Sequence, residues 1–112
     1  MRSLYLQENL IEKMEGLETL TDLYALNLSD NIISKVEGLS TLTRLETLQL
    51  KRNRIGKVNP NNEQPSSCVE DLKGLLECPS ISVLDVSDNY IDDPEVLPEI
   101  LEKMPKLAVL YL

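Results

Sequence analysis

Residues 23–33 read LYALNLSDNII, and this stretch decides the fold of the chain. Leucines alternate with other residues in its first half, and an asparagine and an isoleucine follow at fixed distances. The pattern occurs four times, with its asparagines 22, 22 and 36 residues apart. A sequence that repeats at a period near 22 predicts stacked units of one kind, each of which buries its apolar face against the next. The repeated asparagines are Asn9, Asn31, Asn53 and Asn89.

The alternating leucines predict short parallel strands. Side chains in a strand point to opposite faces in turn, so the leucines face the core and the residues between them face outward. After each asparagine, apolar residues recur at every third position, as in Ile33, Val36, Leu39 and Leu42. That spacing favours 3₁₀ turns over an α-helix. We therefore expect a right-handed α/β solenoid with five parallel strands on its concave side and short 3₁₀ or α-helical segments on its convex side.

The third and fourth repeats carry longer convex segments. Residues 59–68 are rich in turn-forming residues, which predicts an inserted surface loop. Ser67 and Glu70 then form a capping box, and the apolar positions at 69–76 predict a short α-helix. In the fourth repeat, residues 92–94 read Asp-Asp-Pro, which signals the start of a second helix, and Pro105 is expected to end it.

The repeated asparagines have a structural interpretation. An asparagine side chain carries both hydrogen-bond donors and an acceptor, so it can satisfy backbone groups where the chain turns out of a strand. We therefore expect the four asparagines to form a ladder along the inside of the solenoid, with no part in catalysis.

Composition argues against several classes of function. The chain has 112 residues, a net charge of −8 and no histidine, which is the usual general base of nucleophilic catalysis and a common zinc ligand. We therefore predict one domain that is not an enzyme and needs no cofactor or metal. A strongly acidic chain is a poor binder of nucleic acid, and no apolar run approaches the length of a membrane span. Cys78 occupies a leucine position of the repeat and is expected to be a small buried hydrophobe.

The outward strand positions are the expected partner-binding surface, because a solenoid presents them together on its concave side. Tyrosines are the chain's only aromatic residues, and three of the four lie on or beside this face. Tyrosine is favoured in interfaces, although strands also favour it for their own packing. Glu8, Asp30 and Asp88 occupy equivalent positions at one edge and are interpreted as a solvated edge or a protein contact. The predicted partner-binding residues are Tyr5, Tyr24, Asn27, Gln49, Arg52, Asp85 and Tyr111.

The repeat pattern L-x-x-L-x-L-x-x-N-x-I resembles the leucine-rich repeat family over the whole chain. The 22-residue form is similar to the subclass typified by a protein phosphatase 1 regulator. Residues 3–11, 26–31 and 83–107 are more specifically similar to leucine-rich-repeat factors of axonemal dynein assembly. The Asp-Pro-Glu at 93–95 and the Met-Pro at 104–105 lie outside the repeat consensus, which makes them the more specific features. The loop at 59–68 departs from that family's pattern.

This resemblance implies a cytoplasmic, cilium- or flagellum-associated factor that binds dynein chains and chaperones during the preassembly of dynein arms, without catalysis. One alternative is a regulatory adaptor of protein phosphatase 1 or another leucine-rich-repeat adaptor. A third is a subunit of an RNA-containing complex in which the repeats bind a protein partner. Because the chain begins and ends inside a repeat, we also expect a fragment of a longer protein. Its uncovered apolar ends near Leu4 and Leu110 are expected to favour end-to-end self-association.

Overall fold

The computed structural model describes residues 2–55, 73–89 and 100–111. Within these ranges five strands form one parallel sheet in the order of the sequence. Each strand pairs with the next so that the central leucines lie side by side across the whole sheet. The predicted solenoid with a parallel sheet is therefore confirmed. The strands are β1 (Ser3–Tyr5), β2 (Ala25–Asn27), β3 (Thr47–Gln49), β4 (Val83–Asp85) and β5 (Val109–Tyr111).

The central leucine of each strand faces the interior, as the alternation predicts. Leu26, Leu48 and Leu84 in the three inner strands are at most 1% exposed, whereas Leu4 and Leu110 in the outer strands are half-buried. Burying a leucine completely stabilises a fold by roughly 1.5–3 kcal/mol, so these stacked rows account for much of what holds the repeats together. The described core contains no aromatic side chain, and Tyr5, Tyr24 and Tyr111 are exposed.

The convex segments of the first two repeats consist of isolated turns. Leu20 N–H donates to the carbonyl of Leu17 at 3.0 Å, and Leu42 N–H donates to that of Leu39 at 3.0 Å. These are the three-residue hydrogen bonds of a 3₁₀ turn, but they do not join into a continuous helix. The period of three therefore predicts the hydrogen bonding correctly.

The prediction of an α-helix in the third repeat is wrong for its described part. Residues Lys73–Glu77 form a 3₁₀ helix, which we label η1. The reason is stacking: Leu75 and Cys78 keep the three-residue spacing of the repeat before them, and Cys78 N–H donates to the carbonyl of Leu75 at 3.2 Å. In the fourth repeat, Ile100 and Leu101 are α-helical and the helix ends before Pro105, as expected. The inserted loop, the capping box and the Asp-Asp-Pro signal lie outside the described residues.

Two glycines allow neighbouring convex segments to approach closely. Gly38 has a φ of +73°, and a Cβ atom there would lie 2.5 Å from the carbonyl oxygen of Met14. Gly74 has no such φ requirement, but its Cβ would lie 2.0 Å from the carbonyl oxygen of Val36. Backbone atoms cannot yield as a flexible side chain can. A side chain at either position would therefore force adjacent repeats apart.

We expect Gly38→Ala to lower the free energy of unfolding by about 2 kcal/mol, through the left-handed φ and the clash with the Met14 carbonyl. Gly16 is the matched control, since its φ is +76° and a Cβ there meets nothing within 4 Å. Gly16→Ala should lower the free energy of unfolding by about 1 kcal/mol, the cost of the left-handed φ alone. Urea denaturation of both variants measures the difference. Equal losses would show that the close approach of the repeats contributes nothing.

Candidate interaction surface

The repeated asparagines connect neighbouring repeats through backbone groups. Asn31 Oδ1 accepts hydrogen bonds from the N–H groups of Asn9 and Ile11, both at 3.1 Å. Its Nδ2 donates to the carbonyls of Leu6 and Leu28, both at 3.0 Å. One side chain thus satisfies backbone groups of its own repeat and of the repeat before it.

The same arrangement recurs along the solenoid. Asn53 Oδ1 accepts from Ile33 N–H at 3.1 Å, and Asn89 Oδ1 accepts from Ile55 N–H at 3.0 Å. Asn9 differs, because it is exposed and its side chain donates only to carbonyls of its own repeat. All these contacts are to backbone atoms, so the asparagines fix the scaffold that carries the outer surface.

The residue before each of these asparagines has a positive φ, between 55° and 60°. The repeat pattern of apolar residues does not predict this feature. Left-handed backbone is unusual for residues other than glycine, and asparagine and aspartate tolerate it best. A signal was present, because two of the four positions are aspartates directly before the repeated asparagine. These residues lie together at the edge of the sheet where the strands end, which we call the C-terminal edge: Glu8, Asp30, Arg52 and Asp88.

Arg52 is paired with Asp30 across two repeats at this edge. Its Nε and Nη2 donate to the two carboxyl oxygens of Asp30, the second at 3.2 Å. The hydrogen bond from Arg52 lowers the pKa of Asp30, and the same bond raises the pKa of Arg52. The nearby charges of Asp88 and Glu8 add to the rise in the pKa of Arg52. Both side chains are solvent-accessible, so the pair adds little to stability. The charge of Arg52 is therefore largely matched within the chain.

The outward strand residues form one continuous surface on the concave side. The strand register places Tyr5, Asn27, Gln49, Asp85 and Tyr111 side by side, and we call this line the concave row. Tyr5 and Tyr111 at its two ends are 65% and 55% exposed, and the three residues between them are half-buried. Tyr24, one residue before β2, is 47% exposed. The structure thus brings most of the predicted binding residues onto one face.

Two members of the concave row also serve the fold. Asn27 Oδ1 accepts from Ser29 N–H, and Asp85 Oδ1 accepts from Ser87 N–H, both at 3.0 Å. The hydroxyl of Ser87 donates to the same oxygen of Asp85 at 2.6 Å. Ser29 is buried, and its Oγ accepts the N–H of Lys51 at 3.2 Å. The residues beyond the strands are therefore partly committed to the turn that follows.

The described part of the concave surface carries a shallow depression. A depression of about 80 Å³ lies among Tyr5, Asn27, Thr47 and Gln49, well below the several hundred Å³ typical of a small-molecule site. Among the described residues, no group of three or more cysteine and carboxylate side chains is placed to hold a metal ion. No helix in the described ranges has the length and apolarity needed to cross a membrane.

Cys78 offers no reactive thiol. It is 1% exposed, and its Sγ donates to the carbonyl of Leu42 at 3.1 Å. Burial raises the pKa of the thiol, which keeps it protonated and poorly nucleophilic. It packs in a leucine position of the repeat, as the sequence predicts.

Solved structures of several bacterial proteins are similar to the chain. An internalin of Listeria monocytogenes matches all of it with a TM-score of 0.76 and 25% identity, and the chain covers 28% of that protein. Internalin C2 of the same organism matches all of it with a TM-score of 0.74 and 25% identity, and 42% of it is covered. A leucine-rich-repeat protein of Leptospira interrogans matches 97% of the chain with a TM-score of 0.74 and 21% identity, with 25% of it covered.

Sequence comparison adds a eukaryotic relative. Human dynein axonemal assembly factor 1 is 52% identical over 42 residues, which are 38% of this chain and 6% of that protein. The chain therefore corresponds to a small part of this relative. The sequence model of the leucine-rich repeat matches residues 1–84, which is most of the chain. Together with the 22-residue period and the parallel sheet, this match shows that the chain belongs to the leucine-rich repeat family.

Proposed function

We propose that the chain is a non-catalytic protein-binding scaffold in a cytoplasmic, cilium- or flagellum-associated factor for the assembly of axonemal dynein arms. The observation that supports this most is the 52% identity to human dynein axonemal assembly factor 1 over 42 residues. The partners would be dynein chains and the chaperones that fold them. The exposed tyrosines on and beside the concave row would be the anchors, since buried aromatic side chains often dominate binding energies.

Charge indicates what kind of partner surface fits. Glu8 and Asp88 flank the ion pair of Asp30 and Arg52 at the C-terminal edge, and Asp85 lies in the concave row next to it. The chain as a whole carries a net charge of −8. Such a surface favours the approach of a basic partner surface, and salt weakens that attraction. We therefore expect binding to slow as ionic strength rises.

The direct test is capture from an extract of ciliated or flagellated cells with the immobilised chain as bait. We expect axonemal dynein heavy chains to be retained above a bead-only control, as detected by immunoblotting. The catalytic subunit of protein phosphatase 1 is probed in the same eluates. Recovery of that subunit without dynein would contradict the proposal and favour the phosphatase adaptor.

A double substitution tests the binding face. Tyr24→Ala removes an exposed anchor, and Asp85→Asn removes a charge while keeping the oxygen that Ser87 bonds. We expect the double variant to bind dynein about tenfold more weakly, since the loss of one or two anchors costs roughly 1–3 kcal/mol, with an unchanged melting temperature. Glu18→Ala/Glu77→Ala, at exposed convex positions, is the matched control. Loss of binding in the control alone would place the working surface on the convex side.

A further inference from the structure

A polar groove lies at the edge of the sheet where the strands begin, which we call the N-terminal edge. It encloses about 470 Å³ and extends from Tyr24 across the third and fourth repeats. It is distinct from the concave depression, with which it shares no lining residue. Its lining includes three cations and two carboxylates: Arg2, Arg44 and Lys106, with Asp22 and Glu46.

The groove arises from a change in side-chain size between repeats. Backbone hydrogen bonds stack Tyr24, Glu46 and Ser82 on one another, with Glu46 N–H donating to the Tyr24 carbonyl at 2.9 Å and Ser82 N–H to the Glu46 carbonyl at 2.8 Å. Ser80, two residues before Ser82, lies in register with Arg44, two residues before Glu46. The fourth repeat thus places serines where the third has long charged side chains. The space they leave lies between Arg44 and Lys106.

The two serines are held by the chain itself. Ser80 Oγ donates to the carbonyl of Leu45 at 2.7 Å, and Ser82 Oγ donates to that of Glu46 at 3.4 Å. Because both hydroxyl protons already bond to backbone carbonyls, the serines do not donate to a ligand. The cationic side chains are the groups of the groove that can attract one. Arg44 is only loosely restrained, with 3.5 Å between its Nη1 and Asp22 Oδ1 and both side chains about 70% exposed. Its guanidinium can therefore turn toward a ligand at little cost.

The balance of charge selects the ligand. The five charged lining residues sum to +1, whereas the whole chain carries −8. A carboxylate is attracted to Arg44 and Lys106, which lie on either side of Ser80 in the strand register. The groove thus matches the side chain of a glutamate or aspartate in a polypeptide.

We propose that this groove binds an acidic segment of a protein partner, with Arg44 and Lys106 contacting its carboxylates. The proposal rests on the proposed function, because Tyr24 lines the groove and adjoins the concave row, so that one partner can span both. The two edges of the sheet then select opposite charges. A basic part of the partner lies at the C-terminal edge and an acidic part at the N-terminal edge, which fixes the partner's direction across the sheet.

Titration of the isotope-labelled chain with a hexaglutamate peptide, followed by amide NMR shifts, tests the groove. We expect shifts concentrated at Arg44, Glu46, Ser80 and Ser82 that fade as salt is added. Arg44→Ala/Lys106→Ala should weaken binding about five- to tenfold, from two exposed charge contacts. Arg54→Ala/Lys103→Ala removes the same charge at exposed positions outside the groove and should change binding little.

Glu46→Gln supplies the opposite expectation, because it removes a repelling carboxylate and should tighten binding about twofold. Absence of shifts in the groove, or equal weakening by the two double variants, would overturn the proposal. The peptide experiment needs no dynein. Failure to capture dynein with normal peptide binding would therefore count against the proposed function alone, and the reverse result against the groove alone.

Discussion

Replacing Leu48 by alanine is expected to lower the free energy of unfolding by about 4 kcal/mol. Leu48 is fully buried at the centre of β3, between Leu26 of β2 and Leu84 of β4. Removing its isopropyl group takes apolar contacts from both neighbouring repeats at once. The strand register is held by backbone hydrogen bonds on both sides, so the repeats cannot close the cavity by shifting. The cost should therefore lie toward the upper part of the usual range for this substitution.

Urea denaturation followed by circular dichroism measures this loss as a lower midpoint at an unchanged slope. Leu10→Ala is the matched control, because Leu10 is 83% exposed. Surface substitutions of this kind usually change stability by less than about 0.5 kcal/mol. Similar losses for Leu48→Ala and Leu10→Ala would show that the stacked leucine row contributes little to stability.

The second large effect is expected from Asn31→Ala, which should destabilise the chain by about 3 kcal/mol. Asn31 is 5% exposed, so water does not replace its side chain freely. The substitution leaves the N–H groups of Asn9 and Ile11 without their acceptor and removes a donor from the carbonyls of Leu6 and Leu28. Both carbonyls keep a second donor, from Asn9 or Asn53, and Asn9 is exposed, so the half-buried N–H of Ile11 is the group left unpaired. Such a group costs about 1–3 kcal/mol, and each of the other lost hydrogen bonds adds about 0.5–1.5 kcal/mol before local relaxation.

Asn9→Ala provides the comparison, since Asn9 occupies the same position of the repeat but is exposed. Its amide donates only to two carbonyls of its own repeat, which water can reach. We expect this variant to lose less than about 1 kcal/mol. Thermal and urea unfolding of both variants measure the two losses of stability. An Asn31→Ala protein as stable as Asn9→Ala would mean that bonds between repeats contribute nothing.

Several features of the fold could be predicted because they depend on short-range periodicity. The two-residue alternation of a strand decides which leucines are buried, and the 22-residue period decides which residues become neighbours. The register of Leu26, Leu48 and Leu84 follows even across the longer third repeat, since counting back from Ile81 recovers its leucine positions. The concave row could be read in the same way, as the residues that alternate with the leucines.

Other features depend on contacts with the neighbouring repeat and could not be predicted from the local sequence. The 3₁₀ form of η1 could not be read from a local capping signal, because stacking on the three-residue spacing of the previous repeat prevails over the α-helical preference. The positive φ at Asp30 and Arg52 is likewise imposed by the turn that each repeated asparagine holds. That turn brings the two side chains into an ion pair across 22 residues.

The sequence by itself determined the architecture of this protein, its buried rows and the surface it presents, because each repeat obeys the same local rules of alternation and spacing. Only the tertiary structure decided how charges on different repeats meet. Arg52 is matched by Asp30 at the C-terminal edge, while Arg44 and Lys106 face a groove at the N-terminal edge. The physical reason is that electrostatic interactions depend on distances between repeats, and the groove exists because small serines in one repeat follow long side chains in the repeat before it.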